Sequence, residues 1–262
     1  MTSTRAPHAR VAAPLPPVGP GDVVAADLEG TLTEGETWRG VGAWLALHGR
    51  RRAYRRFLVP RVPLVPFVRA GLIDRQAFRD RWMRDLAALL AGSDEARIAA
   101  MADQVVEEEL WPARREPLLR ALAEAREAGA RVVIVSGAFA PILDRFAERA
   151  GVEGIGTPLE IVRGVATGRL TGPVNTGPWK VDRLARRIGT APLRRAYGDS
   201  AADLPLLAAA AEAVPVTPDG TLARIARERG WQVLDANGSV ISSGPSSPGR
   251  VPIRPERWGS GR

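Results

Sequence analysis

Short apolar runs that end on a polar residue limit the fold of this chain more than any other feature. Val23-Val24-Ala25-Ala26-Asp27-Leu28 lies between Gly21 and Gly30. Arg131-Val132-Val133-Ile134-Val135-Ser136-Gly137 follows a helical pattern from about Glu116 to Ala128 that stops at Gly129. A third run ends at Tyr197-Gly198-Asp199-Ser200. Runs with no polar alternation fit strands of a parallel sheet covered on both faces. Further short strands are expected over 213–216 and 231–234, with a helix over 222–229 between them. Strands alternating with helices predict a doubly wound α/β sheet, in which ligands bind beyond the carboxyl ends of the strands. Those ends carry Asp27, Ser136 and Asp199.

The stretch 38–111 shows no strand pattern and reads as a helical insertion, broken by prolines at 60–66 and by a loop at Gly92-Ser93-Asp94. It divides a core expected over 21–37 and 112–235, to which residues 154–172 add a small β-hairpin. Residues 1–20 are rich in proline and 236–262 in Gly, Ser and Pro, so both are expected to be disordered tails.

Composition removes several chemistries. There is no cysteine, and only His8 and His48 are present, which excludes thiolates and leaves nothing for a histidine triad or a zinc cage. The N-terminal segment has Arg5 and Arg10 but no apolar core of signal-peptide length, so a soluble cytoplasmic protein is expected. The apolar stretch 57–68 contains Arg61 and three prolines and is far shorter than the ~20 residues that span a bilayer. The net charge of +8 rests on 36 arginines and one lysine, Lys180. Eleven of the arginines lie between Arg50 and Arg84, against Asp74 and Asp80 alone. An anionic substrate, contact with a membrane surface or nucleic acid, and a solvated helical face all compete to explain that excess. Nucleic acid is disfavoured because few aromatics interleave the arginines.

Carboxylates, hydroxyls and cations must therefore carry any reaction. Asp27 and Glu29 stand two residues apart at a strand end, where strand periodicity would place them on one side. Such a pair can divide nucleophilic attack from proton transfer, or simply prepare a turn. Ser136 and Gly137 offer a hydroxyl and backbone N–H groups to a phosphate oxygen, although Ser-Gly is also a common turn. Asp199 and Asp203 are hard oxygen ligands suited to Mg²⁺, and one of them could instead cap a helix. Lys180 is the one site at which arginine was not used; a thin ammonium fits where a planar guanidinium does not, unless chance alone preserved it.

Together these stretches resemble the haloacid dehalogenase (HAD) superfamily, in its phosphoserine-phosphatase-like branch, over about residues 22–235. The matching motifs are Asp-Leu-Glu-Gly-Thr-Leu-Thr at 27–33, Val-Ile-Val-Ser-Gly at 133–137, Lys180, and Gly-Asp-Ser-Ala-Ala-Asp-Leu-Pro-Leu-Leu at 198–207. The resemblance implies a Rossmann-like core with a helical cap inserted at 38–111. It implies Asp27 as the nucleophile that forms an aspartyl-phosphate and Glu29 as general acid/base. Ser136, Gly137 and Lys180 would hold the phosphoryl oxygens. Mg²⁺ would be bound by Asp27, the Glu29 carbonyl and Asp199, with Asp203 holding a metal water or Lys180. Glu36, nine residues after Asp27, matches an acid that binds the substrate amine in phosphoserine phosphatases. Their cap arginine has no clear counterpart, with Arg61 and Arg56 as candidates.

The implied activity is hydrolysis of a small phosphorylated metabolite. Glu29 departs from the usual Asp, and relatives resembling a homoserine-linked phosphotransferase also carry Asp-Leu-Glu-Gly. Transfer to an alcohol therefore remains an alternative, as does a phospholipid-headgroup phosphatase working at an anionic surface.

Overall fold

The computed structural model describes residues 15–242. Five strands form one parallel sheet in the order β3-β2-β1-β6-β7: β1 (Val23–Ala26), β2 (Arg131–Phe139), β3 (Glu153–Thr157), β6 (Leu193–Gly198) and β7 (Glu212–Pro215). The order explains the absence of polar alternation. Along β1, Val24 and Ala26 enter the apolar cluster on one face, and Val23 and Ala25 enter the cluster on the other. Helices α6 (Glu116–Glu127) and α7 (Ala140–Ala150) supply Leu118, Leu122, Ile142, Leu143 and Phe146 to the first cluster. Helices α8 (Pro178–Ile188), α9 (Leu204–Ala209) and α10 (Gly220–Arg229) supply Leu184, Ile188, Leu206, Leu207 and Leu222 to the second. From β1 the chain first builds outward to β2 and β3, then returns to add β6 and β7 on the other side. The reversal lies between β1 and β6, where such sheets open a crevice for ligands.

Residues 37–105 are helical: α1 (Thr37–Leu47), α2 (Arg51–Leu58), a 3-10 turn (Val62–Leu64), α3 (Val65–Arg69), α4 (Arg75–Ala88) and α5 (Glu95–Val105). Asp74 caps α4 by accepting from the Ala77 N–H, and Asp94 caps α5 by accepting from the Arg97 N–H at 2.8 Å. Val41, Trp44, Leu45, Leu86, Leu90, Ile98 and Met101 are buried in the same cluster that covers the first face of the sheet. The insertion is thus packed continuously with the core rather than around a separate one.

Several expectations are corrected. Residues 153–157 form β3 at the edge of the main sheet, and only β4 (Leu159–Val162) and β5 (Val165–Leu170) make the antiparallel hairpin. The backbones of Gly154 and Gly156 lie close against α7, where an added Cβ would meet Ala147 and Ala140. The strand expected at 231–234 is only β8 (Val233–Leu234), and it pairs with β9 (Val240–Ser242), inside the region expected to be a disordered tail. At the other end, Leu15 and Val18 pack on the first cluster and Arg195 donates to the Pro16 carbonyl, so 15–20 is not a free tail either. The remaining tail residues, 1–14 and 243–262, lie outside the described residues.

Phe146 is fully buried, its ring 5.3 Å from that of Trp111. Phe146→Ala is expected to cost about 3–5 kcal/mol in denaturant unfolding; a cost below about 1 kcal/mol would show that this face can collapse onto the gap.

Candidate active site

The loop after β1 folds back at once. The Leu32 N–H donates to the Leu28 carbonyl and the Gly30 N–H to the Thr33 carbonyl, both at 2.8 Å. Gly30 has φ +87°, and a Cβ there would fall 2.3 Å from Asp199 Oδ2, so both the turn and the crowding require glycine. The returning end of the insertion clamps this loop. Thr33 Oγ1 donates to the Leu110 carbonyl at 2.6 Å, the Arg115 N–H donates to the Leu32 carbonyl at 2.7 Å, and the Arg115 guanidinium reaches the Gly30 and Thr31 carbonyls. Asp27 and Glu29 are therefore brought together by a clamped turn. Strand alternation does not do it, because β1 ends at Ala26.

Lys180 occupies the centre. It shares the buried stripe of α8 with Leu184 and Ile188, four and eight residues on, so the helix carries the ammonium inward on its apolar face. Its Nζ donates to Asp27 Oδ1 and, at 2.6 Å, to Asp203 Oδ1. All three groups are buried. The other Asp203 oxygen accepts from the Asp199 and Ser200 N–H groups and from Ser200 Oγ. Asp203 is thereby committed to holding Lys180 and the Asp199-Ser200 backbone. Asp27, Asp199 and Asp203 present carboxylate oxygens within 4.8 Å of one another, a set that could hold a metal ion.

Burial dominates the electrostatics. It pushes Asp27 up to about 6, against the Lys180 charge and with the help of the Asp203 charge. Burial and the charges of Asp27 and Asp203 push Asp199 up to about 8. For Asp203 burial acts the same way, but the Lys180 charge and hydrogen bonds from Lys180 and Ser200 outweigh it and hold its pKa below the usual value. Burial alone would discharge Lys180, yet Asp203 and Asp27 more than offset it and keep it protonated. Glu29 is raised by burial, opposed by Thr37, whose N–H donates to its carboxylate at the start of α1.

Ser136 and Gly137 lie on the neighbouring strand end. The pairing of β2 with β3 slips between Val135 and Phe139, which takes Ser136 and Gly137 out of the ladder. Ser136 Oγ accepts from the Ala138 N–H at 3.2 Å, leaving its own proton to donate. Asn175, fully buried, donates to the Ser136 and Ile155 carbonyls and fixes this bulge from below. Glu36 is near enough for its charge to raise Glu29, and it accepts from the Trp38 indole. Arg61 pairs with Asp85, donates to the Phe57 carbonyl at 2.6 Å and stacks on the Phe57 ring, all contacts within the insertion. Arg56 is exposed on α2.

Arg79, exposed on α4, is near enough for its charge to favour ionised Asp199 and Asp203, as the smallest of the influences on each. On the same helix Gln76 bonds Thr176 and Asp80, and Arg75 pairs with Asp219 at 3.3 Å. Among eleven arginines no sequence signal distinguishes it; only its helical spacing from Gln76 and Asp80 could have pointed to it.

A family model described as haloacid dehalogenase-like hydrolase matches residues 24–208. Phosphoserine phosphatase SerB1 of Mycobacterium tuberculosis is 34% identical over 162 residues, covering 58% of this chain and 51% of that protein. The chain thus spans about half the length of this relative. A putative hydrolase of Mycobacterium leprae is 30% identical over 242 residues, covering 85% of this chain and 75% of its own. The fold is shared with a crystal structure of a Bordetella pertussis protein of unknown function, at 24% identity and a TM-score of 0.70, covering 82% of this chain and 98% of that one.

Asp27 and Asp199 have folded pKa values of about 6 and about 8 against 3.8 for a free carboxyl. Between those limits the folded chain holds protons that the unfolded chain has released, so stability falls as pH rises through the window. In chelator, the melting temperature is expected to drop between about pH 6 and about pH 8, and Mg²⁺ is expected to restore more at the higher pH. Asp199→Asn flattens the profile; a wild-type profile that is already flat would contradict this electrostatic account.

Proposed function

The chain belongs to the haloacid dehalogenase-like hydrolases, and we propose that it is a magnesium-dependent phosphomonoesterase with Asp27 as its nucleophile. The observation that carries this reading is the buried Lys180 ammonium bonded to both Asp27 and Asp203. A site that only bound a cation would gain nothing from an ammonium at its centre. One that must hold phosphoryl oxygens against a carboxylate needs such a group to offset the charge.

The donor set suits a hard divalent cation: three clustered carboxylates, two of them raised in pKa, stand against one ammonium. Asp27 and Asp199 would hold Mg²⁺ together with the Glu29 carbonyl, and Asp203 would act through Lys180 and the backbone it anchors. Bound there, Mg²⁺ would supply further neutralisation of phosphoryl charge.

The steps follow from the side chains. An Asp27 oxygen attacks phosphorus as the bond to the leaving oxygen breaks, and Glu29 gives that oxygen its proton. Its raised pKa suits a group that must begin as an acid. Glu29 then takes a proton from water, which attacks the aspartyl-phosphate and releases Asp27. Lys180 and Ser136 hold the phosphoryl oxygens in both steps. Thr37 orients the Glu29 carboxylate from the α1 terminus, leaving its second oxygen for the proton.

The substrate proposed is a small phosphomonoester carrying further charges, of which phosphoserine is the natural candidate given the relative's name. Arg79 would bind its anionic group and Glu36 its amine. Transfer to an alcohol in place of water remains a second reading because of Glu29, and product analysis with added alcohols separates the two.

With Mg²⁺ and an aryl phosphate, Asp27→Asn is expected to release phosphate at less than about one-thousandth of the wild-type rate. Turnover that survives this change would remove Asp27 from the mechanism. Lys180→Arg is expected to fail similarly while staying folded, because a guanidinium cannot occupy the cleft between Asp27 and Asp203. Arg79→Ala should raise KM for phosphoserine by about tenfold or more with a smaller change in kcat; an unchanged KM would take Arg79 out of substrate binding.

A further inference from the structure

Exposed apolar side chains are concentrated in one short piece of the insertion. Val59, Val62, Leu64, Phe67 and Leu72 are all exposed, Leu72 by 75% and Phe67 by 50%. Pro60, Pro63 and Pro66 are exposed beside them. Within this segment Val65 and Val68 turn partly inward, while Leu64 and Phe67, three residues apart, stay outward. A contiguous apolar patch of this kind marks a docking surface more often than a solvated one.

The chain that leads into the patch carries its charge. Helix α2 buries Phe57 and half-buries Tyr54 and Leu58 on one side, and leaves Arg51, Arg52, Arg55 and Arg56 exposed on the other. None of these four forms an ion pair among the described residues. Arg51, Arg52 and Arg55 line a shallow depression with Gly49. Unpaired guanidinium groups running directly into exposed Val, Leu and Phe have the composition of an interfacial segment, drawn to anionic headgroups and anchored below them.

The patch also borders the site. Arg75 donates to the Val68 carbonyl and pairs with Asp219, each at 3.3 Å, and the Asp219 N–H donates to the Asp199 carbonyl at 2.8 Å. We propose that α2 and the segment 59–72 dock on an anionic lipid bilayer, with the mouth of the site held at headgroup level.

The test is sedimentation of the full chain with vesicles of phosphatidylcholine alone or mixed with phosphatidylglycerol. Binding is expected only to the anionic vesicles, and it is expected to weaken between about 0.05 M and about 0.5 M salt. An arginine at such a surface is worth about fivefold in partitioning, so replacing Arg51, Arg52, Arg55 and Arg56 by Gln should lower it by about 100-fold or more. Phe67→Ser with Leu72→Ser should lower it by about tenfold or more. Both variants should keep wild-type melting and aryl-phosphate turnover, so that lost binding is not lost folding. Absence of binding to anionic vesicles at low salt would overturn the proposal, as would undiminished binding by both variants. Self-association through Phe67 and Leu72, or retention on nucleic acid, in place of vesicle binding would overturn it equally.

Discussion

A protonated amine buried among carboxylates is the constraint on which the rest of this molecule is arranged. Taking the Lys180 ammonium out of water is costly, and it is sustained only because Asp27 and Asp203 both accept from it. Each partner must in turn be held. Asp203 is fixed by two backbone N–H groups and a hydroxyl at the end of β6, where Gly198 leaves just enough room: a Cβ there would lie 2.5 Å from that of Asp203. Asp27 is fixed just past the end of β1, its N–H donating to the Tyr197 carbonyl at 3.0 Å. The strand order, the two glycines and the register of β1 on β6 all serve one charge arrangement.

That arrangement leaves a surplus of negative charge, and the surplus divides the acids by role. Asp203, with most of the donors, stays ionised. Asp199, with few, is pushed far up. Residues that look equivalent in Gly-Asp-Ser-Ala-Ala-Asp thus behave oppositely, one as a fixed strut and the other as a group that ionises fully only with a cation to meet it. Glu29 stands apart from both, tied to the start of α1. A shift of α1 would therefore be felt first at Glu29 and least at Asp203.

The parts of this design legible in the sequence were those in which residue type and position coincide. Asp27, Ser136 and Asp199 follow apolar runs, and Lys180 stands out as the one lysine. Much of the remainder was not legible because it depends on what folds against what. The stretch from residue 154 reads as the start of a hairpin, whereas Gly154 and Gly156 are narrow places under α7 in an edge strand of the main sheet. Arg61 and Arg79 are chemically identical in the sequence, and only the packing of α4 sends one to Asp85 and the other towards Asp199. Arg115 gave no hint either. It holds the loop after Asp27 through backbone carbonyls, and any sequence could provide those.

The singularity of Lys180 has one more consequence, for observation rather than for chemistry. Because the chain contains a single lysine, an isotope introduced as labelled lysine enters at one place only, between Asp27 and Asp203. Buried and held protonated by Asp27 and Asp203, the same ε-amine is shielded from acylating reagents while the site is intact. The protein thus carries a spectroscopic reporter inside its candidate active site.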